Sequence, residues 1–314
     1  KGDECLVPSI CWSTSLWPVV QAGLKPKLID VDINTFTINL DIIKKNVTKK
    51  TKAIVIINVL GNTSNIDEIR EFANKKKIYL IEDNCESLGS KYKNKYLGSF
   101  GDFSSFSFYY SHQVTSGEGG MIACKTKDDY LLLKALRAHG WDRDIQKERV
   151  NKKFNFINSG FNLRPLEISA AIGLNQFKRL SKMMSIRTYN RNKLIYFIKK
   201  SENWEKQFSF FYSHKNLKPS WFGFPILLDA KYIKKKEKFL NFLNKNRVET
   251  RPIISGNFVN QPAINLYNIS YNLKELHNSK QIDKRGFFIG LPTTKLSDKV
   301  VKKLAELLLK VSKF

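Results

Sequence analysis

The chain has 314 residues, and 54 Lys and Arg against 28 Asp and Glu give it a net charge of +26. No stretch approaches the ~20 apolar residues of a membrane span, so a soluble globular chain with one sizeable core and a smaller second unit is expected. The charge points either to an anionic partner or to a Lys-, Asn- and Ile-rich composition spread over solvated helix faces. Runs such as Lys75–Lys77 and Lys234–Lys236 flank helical patterns instead of forming one basic arm, which favours the second reading and argues against nucleic-acid or membrane partners.

In chain order, Lys1-Gly2-Asp3-Glu4 leads directly into what reads as an interior strand, Cys5–Pro8, so a preceding segment of chain is expected. Further strands are predicted at Pro26–Asp30, Ala53–Asn58, Ile78–Glu82, Ser104–Phe108 and Met121–Cys124. Between them lie helical patterns at Ser13–Ala22, Leu40–Lys45 and Asn65–Lys75. This alternation predicts an α/β fold with a largely parallel sheet covered by helices on both faces. Ligands of such sheets gather at the carboxyl ends of strands, where Asp83 and His112 both fall.

From Pro165 to about Lys200 the pattern is one long helix, with Arg164-Pro165 placing proline in the first turn. Trp221–Leu228 then reads as a strand, Tyr232–Asn246 as a helix and Lys295–Val311 as a closing amphipathic helix. Residues 1–180 are therefore expected to form the large domain. Residues 181–314 are expected to form the connecting helix and a small α+β domain. Cys5, Cys11, Cys85 and Cys124 make no Cys-x-x-Cys pair. Buried free thiols in a reducing cytoplasm are expected, with no metal site.

The most informative run is Ser105-Phe106-Ser107-Phe108-Tyr109-Tyr110-Ser111-His112-Gln113-Val114-Thr115-Ser116-Gly117-Glu118-Gly119-Gly120. It resembles the active-site segment of the DegT/DnrJ/EryC1/StrS family of sugar aminotransferases, which use pyridoxal phosphate. The resemblance spans almost the whole chain, although its decisive motifs lie between Asp83 and Gly120. In most of the family the residue five before Gly-Glu-Gly-Gly is a lysine that bonds covalently to the cofactor. Here it is His112, which cannot do so but can move protons near neutral pH. A surface-loop histidine or the remnant of a dead lysine site are the plainer alternatives. Histidine at this position resembles the branch that dehydrates keto-sugars with pyridoxamine phosphate.

Other roles are implied by the same resemblance. Asp83, in Glu82-Asp83-Asn84-Cys85-Glu86-Ser87-Leu88-Gly89, matches the aspartate that keeps the cofactor ring nitrogen protonated; by itself it also reads as a turn residue. Glu86 stands where many relatives carry Gln or His. Trp12 matches an aromatic that stacks on the ring, although ordinary packing would account for it too. Ser107 matches a phosphate-binding hydroxyl. Asn162 matches an asparagine that reaches the phosphate of the neighbouring subunit, which implies a homodimer with shared active sites. The family's phosphate-cradling turn of small residues would precede Lys1. Trp221, Phe222 and Arg251 fall in segments that line the substrate side in dehydratases. Arg251 reads equally as an anion-binding residue and as a solvated strand-end arginine.

The resemblance thus implies an aspartate-aminotransferase-like three-layer fold and a cytoplasmic 3-dehydratase of deoxysugar and lipopolysaccharide biosynthesis. Its substrates would be a nucleotide-diphosphate 4-keto-6-deoxy sugar and glutamate, its cofactor pyridoxal or pyridoxamine phosphate. A related branch uses a cysteine-ligated iron–sulfur cluster and a reductase; the corresponding stretch, Arg143–Phe156, has no cysteine, so no such partner is expected. A sugar aminotransferase is the second reading, weakened because Lys91, Lys93 and Lys95 lie on an upstream polar turn. A non-catalytic cofactor or sugar-nucleotide binder is the third.

Overall fold

The computed structural model describes residues 2–143, 145, 154–211, 213 and 215–314. Lys1 and most of the cysteine-free Arg143–Phe156 segment lie outside the described residues. The chain opens with β1 (Glu4–Pro8), α1 (Ser13–Gln21), β2 (Lys25–Ile29), α2 (Leu40–Asn46), β3 (Thr51–Ile57), α3 (Ile66–Lys76) and β4 (Tyr79–Asp83). The short strands β5 (Lys91–Tyr92) and β6 (Lys95–Tyr96) follow, then β7 (Phe103–Ser107), β8 (Gly120–Cys124) and α4 (Lys127–Arg137).

The main sheet has the order β2-β1-β3-β4-β7-β8. Its first four pairings are parallel and β7–β8 is antiparallel. Strand β3 shows why the sheet is interior: after Lys52 every residue through Ile57 is buried, the near-continuous apolar run of a strand covered on both faces. The chain moves one way from β1 to β2 and the other way from β2 to β3 and β4. Right-handed crossovers then put α1 on one face and α2 and α3 on the opposite face. Local chemistry sets the helix ends: the Asn39 side chain accepts from the Ile42 amide at 3.0 Å, and Asp41 and Lys44-Lys45 sit at the ends that suit the helix dipole.

The second half comprises α5 (Glu167–Lys200), β9 (Phe208–Phe210), β10 (Leu217–Lys218), β11 (Gly223–Leu228), α6 (Lys236–Lys245), β12 (Thr250–Arg251), α7 (His277–Arg285), β13 (Gly286–Gly290) and α8 (Asp298–Leu309). An antiparallel sheet of order β12-β13-β11-β9 forms its centre. The division expected at residue 180 falls inside α5, which runs through it unbroken. One apolar core is continuous from Cys5 through Ile289 to Val311, so both halves share it.

The elements expected from periodicity are present within two or three residues, the closing helix starting at Asp298 instead of Lys295, except that Tyr232–Asn246 divides into a 3-10 turn at Ala230–Lys235 followed by α6. Helices α4 and α7 and strand β13 were not expected. Helix α7 is fixed by a distant cap, in which Asp30 accepts from the Asn278 and Ser279 amides at 2.9 and 2.7 Å. Of the four free thiols, Cys5 and Cys11 are buried but Cys85 and Cys124 are partly exposed. The expectation of four buried thiols is corrected at those two positions, because Cys85 lies on a turn past β4 and Cys124 ends the outermost strand β8.

Candidate active site

Two adjacent carboxylates end β4, and strand alternation sends them to opposite faces. Glu82 is fully buried and accepts from the amides of Gly98, Phe100 and Gly101 at 2.8, 2.7 and 2.5 Å. It is saturated and pins the turn before β7. Asp83 is held differently. Its Oδ2 accepts from the Ser15 hydroxyl at 2.7 Å and its Oδ1 from the Cys85 amide at 3.1 Å. Each oxygen retains acceptor capacity, and the group is only partly buried. Ser15 comes from the first turn of α1, which starts at the carboxyl end of β1.

His112 lies in the hairpin loop between β7 and β8. The loop is closed by Phe108 N to Gly119 O at 2.9 Å, Ser116 N to Phe108 O at 2.9 Å and His112 N to Tyr109 O at 3.0 Å. The imidazole stands edge-on to Tyr109 and Phe222, with ring centroids 5.9 and 5.2 Å away. Its Nδ1 is buried without a partner, which leaves Nε2 as the nitrogen open to the site. Burial pushes its pKa below the usual histidine range; the Asp83 carboxylate opposes this and the Arg187 guanidinium adds to it. The neutral, proton-accepting form is therefore favoured. Burial first, then the Asp83 charge, raise the Cys11 and Cys85 thiols, so neither is a thiolate nucleophile here.

Glu86 packs behind the site. Its Oε2 accepts from the Leu60 amide at 2.8 Å, and its carbonyl accepts from Gln113 Nε2. Burial raises its carboxyl to about 7 in spite of the Leu60 hydrogen bond, and the Asp83 charge adds to the rise. Gly61, at φ +94°, lets the Ser220 carbonyl approach where a Cβ would lie only 2.4 Å from that oxygen. This contact, with Phe222 N donating to Leu60 O at 3.3 Å, brings the strand β11 lead-in onto the site and sets Phe222 against His112.

Asp83, Glu86, His112 and Phe222 thus share one region. Trp12 caps the start of α1 and is 55% exposed, leaving a free aromatic face at the same strand ends. Ser107 ends β7, where its hydroxyl accepts from the Tyr109 amide at 3.2 Å. Arg251 on β12 pairs with Glu249 at 2.8 Å and lies beside the Tyr110 hydroxyl, so the C-terminal sheet meets the His112 loop. The Trp221 side chain is 2% exposed, with the Arg191 guanidinium 4.0 Å from its ring centroid. It packs in the core and does not line a surface. Asn162 is exposed and pairs its backbone with Ala138. No contact among the described residues ties it to Asp83 or His112.

Four residues of this region were given no role by the sequence: Ser15 and Arg187 lie outside the quoted motifs, and Tyr110 and Gln113 stand inside the Ser105–Gly120 run. Arg187 donates from Nε to Leu291 O at 3.0 Å and from Nη1 to Trp221 O at 3.3 Å, an arrangement that long-range folding alone creates.

A flat pyridine cofactor fits these groups. Asp83 has free lone pairs for a ring N–H, Trp12 offers an open aromatic face, and His112 presents one unpaired nitrogen beside them. Residues 1–308 match the model of the DegT/DnrJ/EryC1/StrS aminotransferase family. GDP-4-keto-6-deoxy-D-mannose 3-dehydratase of Escherichia coli O55:H7 is 37% identical over 320 aligned positions, covering 96% of this chain and 78% of that enzyme. A solved GDP-4-keto-6-deoxymannose-3-dehydratase mutant with bound GDP-perosamine matches at TM-score 0.89 and 34% identity, over 98% of this chain and 81% of the other. A structure of the same enzyme with a trapped PLP-glutamate geminal diamine matches equally, at TM-score 0.89, 34% identity and the same 98% and 81% coverage. With its motifs, fold and nearly full length in agreement, the chain belongs to the DegT/DnrJ/EryC1/StrS aminotransferase family.

Proposed function

We propose that this protein is a pyridoxamine-phosphate-dependent 3-dehydratase of a nucleotide-linked 4-keto-6-deoxy sugar. The observation that carries this reading is His112 itself: a partly buried imidazole, tuned toward its neutral form and open at one nitrogen, in the position that an aminotransferase gives to lysine. Bound at the site, the cofactor supplies an amine for the keto group, an electron sink for loss of the neighbouring hydroxyl, and a return to the amine form with glutamate as donor.

Asp83 accepts a hydrogen bond from the ring nitrogen and holds its proton there. Ser15 and the Cys85 amide fix the orientation of that carboxylate. Trp12 would cover one ring face, Ser107 would bind the cofactor phosphate, and Asn162 would reach the phosphate in the neighbouring subunit. His112 Nε2 takes up a proton at the reacting centre and returns it to the departing 3-hydroxyl, which leaves as water. Phe222 shields one edge of His112 from water, and Arg251 offers a donor fork to an anionic part of the substrate.

The active unit is a homodimer. Phe154, Phe156, Phe161, Leu163, Leu166, Ile168, Leu174 and Phe177 are each more than half exposed, around Asn162 and the start of α5. Apolar side chains exposed in such density mark an interface. A second copy seated there would cover them and carry Asn162 to its partner's cofactor, burying more than ~1,200 Å² in total.

Two variants test the function with GDP-4-keto-6-deoxymannose and glutamate. His112→Asn should lower water loss by roughly 10²–10⁴-fold. His112→Lys should hold the cofactor covalently, trapped by borohydride, and lose dehydration. Unimpaired dehydration by either variant would remove His112 from the reaction, and amination of the sugar by the parent protein would favour an aminotransferase.

A further inference from the structure

Among the described residues, Arg187 makes no ion pair with any carboxylate. It projects from the middle of α5, partly buried, and its hydrogen bonds go only to the carbonyls of Leu291 and Trp221. Those two bonds use Nε and one proton of Nη1, so they fix the plane of the guanidinium and leave the Nη2 end without a partner among the described residues. The Trp221 carbonyl adjoins Phe222, whose ring packs on His112, so the fixed cation lies on the His112 side of the site. A partly desolvated guanidinium without a counter-ion is an anion site in waiting.

We infer that Arg187 is the anchor for a carboxylate of the amino donor, seating it beside His112. This rests on the reading that donor and keto-sugar are processed in turn at this site. Two anions reach the site under that reading, the donor carboxylate and the sugar diphosphate. Charge and distance select the first. One guanidinium matches one carboxylate, whereas a diphosphate needs more positive charge, and the other arginine near the His112 loop is already paired with Glu249. The donor's α-carboxylate is attached to the very carbon whose proton moves. The diphosphate is separated from the keto carbon by the sugar ring, so it cannot lie at Arg187 while the keto carbon lies at His112. Sequence gave no hint of this role, because Arg187 sits in a helix among other basic residues.

The charged groups facing His112 are Asp83 and Arg187. An anion bound to Arg187 cancels the repulsion it exerts on the imidazolium, so the His112 titration midpoint must rise. The test uses NMR of labelled histidines in the cofactor-loaded protein, with His112→Asn assigning the signal among four histidines. Glutarate, which has the carboxylates but no amine, should raise the midpoint saturably by about 0.5 unit or more. Pyrophosphate at equal concentration should do less. In Arg187→Gln the midpoint should start higher and stop responding to glutarate, and KM for glutamate should rise roughly tenfold with a smaller change in kcat. Arg187→Lys should fall between.

A midpoint indifferent to glutarate in the parent protein overturns the assignment, and so does a stronger response to pyrophosphate. Both readouts on the parent are independent of whether Arg187→Gln folds. Should the protein fail to dehydrate any keto-sugar while glutarate still shifts His112, the reaction assigned above fails and the carboxylate site stands.

Discussion

The carboxyl edge of the parallel sheet and the segment from Phe154 to Phe177 follow opposite rules. At the sheet edge, the carboxylates are partnered inside one chain. Glu82 takes three amides, Asp83 a hydroxyl and an amide, and Glu86 the Leu60 amide. Between Phe154 and Phe177, large apolar side chains face outward with no chain to cover them. The first region's carboxylates are anchored by their own chain; the second is the face that the proposed homodimer would bury. A satisfied polar site can be preorganised by its own chain, but an apolar face is stable in water only against another apolar face.

The largest expected effect breaks the first region. Asp83→Asn keeps the shape and the Ser15 contact but cannot hold the ring nitrogen protonated. The glutamate half-reaction should slow by roughly 10³-fold or more, about 4 kcal/mol on the barrier. Stopped-flow absorbance checks this, and a loss of only tenfold would count against Asp83 as the ring partner.

The second region is broken by charge. Leu163→Glu with Leu166→Glu should turn the dimer into monomer, since each charge left in an apolar interface costs about 2 kcal/mol or more. Light scattering reads the mass, and activity should fall with it because Asn162 then serves no neighbour. A double variant that stays dimeric moves the interface elsewhere; a fully active monomer ends the shared-site proposal. Mixing inactive Asn162→Ala and His112→Ala subunits should restore activity, because one site of the mixed dimer keeps both residues.

The smallest effect sharpens the contrast. Glu86 is raised in the fold to about 7 from an ordinary carboxyl value. A raised carboxyl contributes stability that is full below its unfolded pKa and is lost as pH rises through about 7. Glu86→Gln removes that loss. The variant's melting temperature should therefore gain on the parent by roughly 2–4 °C between pH 6 and pH 8. A difference that is flat with pH would show that Glu86 is already ionised in the folded protein.

Much of the candidate site's placement was legible because the motif residues follow strands. Asp83 and His112 stand just past apolar runs, and a parallel sheet gathers such positions at one edge whatever the loop details. Helix α4 was not read from the sequence: its start is marked by Thr126 accepting from the Asp129 amide at 3.1 Å before a first turn with two aspartates, a capping signal that the periodic pattern alone did not reveal. Trp221 and Phe222 show the limit. Side by side in sequence, both belong to a segment expected to line the substrate side, but one packs in the core under Arg191 and the other faces His112.

What the sequence by itself determined is the class of fold and the position of the histidine to which the proposed reaction assigns proton transfer. Both depend on local patterns: apolar runs at α/β spacing, and one imidazole in a motif that elsewhere holds an amine. Tertiary structure decided the tuning. The charge beside His112 comes from α5, the hydroxyl on Asp83 from α1, and the amide on Glu86 from a left-handed Leu60 at φ 52°. Electrostatic and hydrogen-bond terms depend on distance in space, which residue order does not encode until the chain has folded.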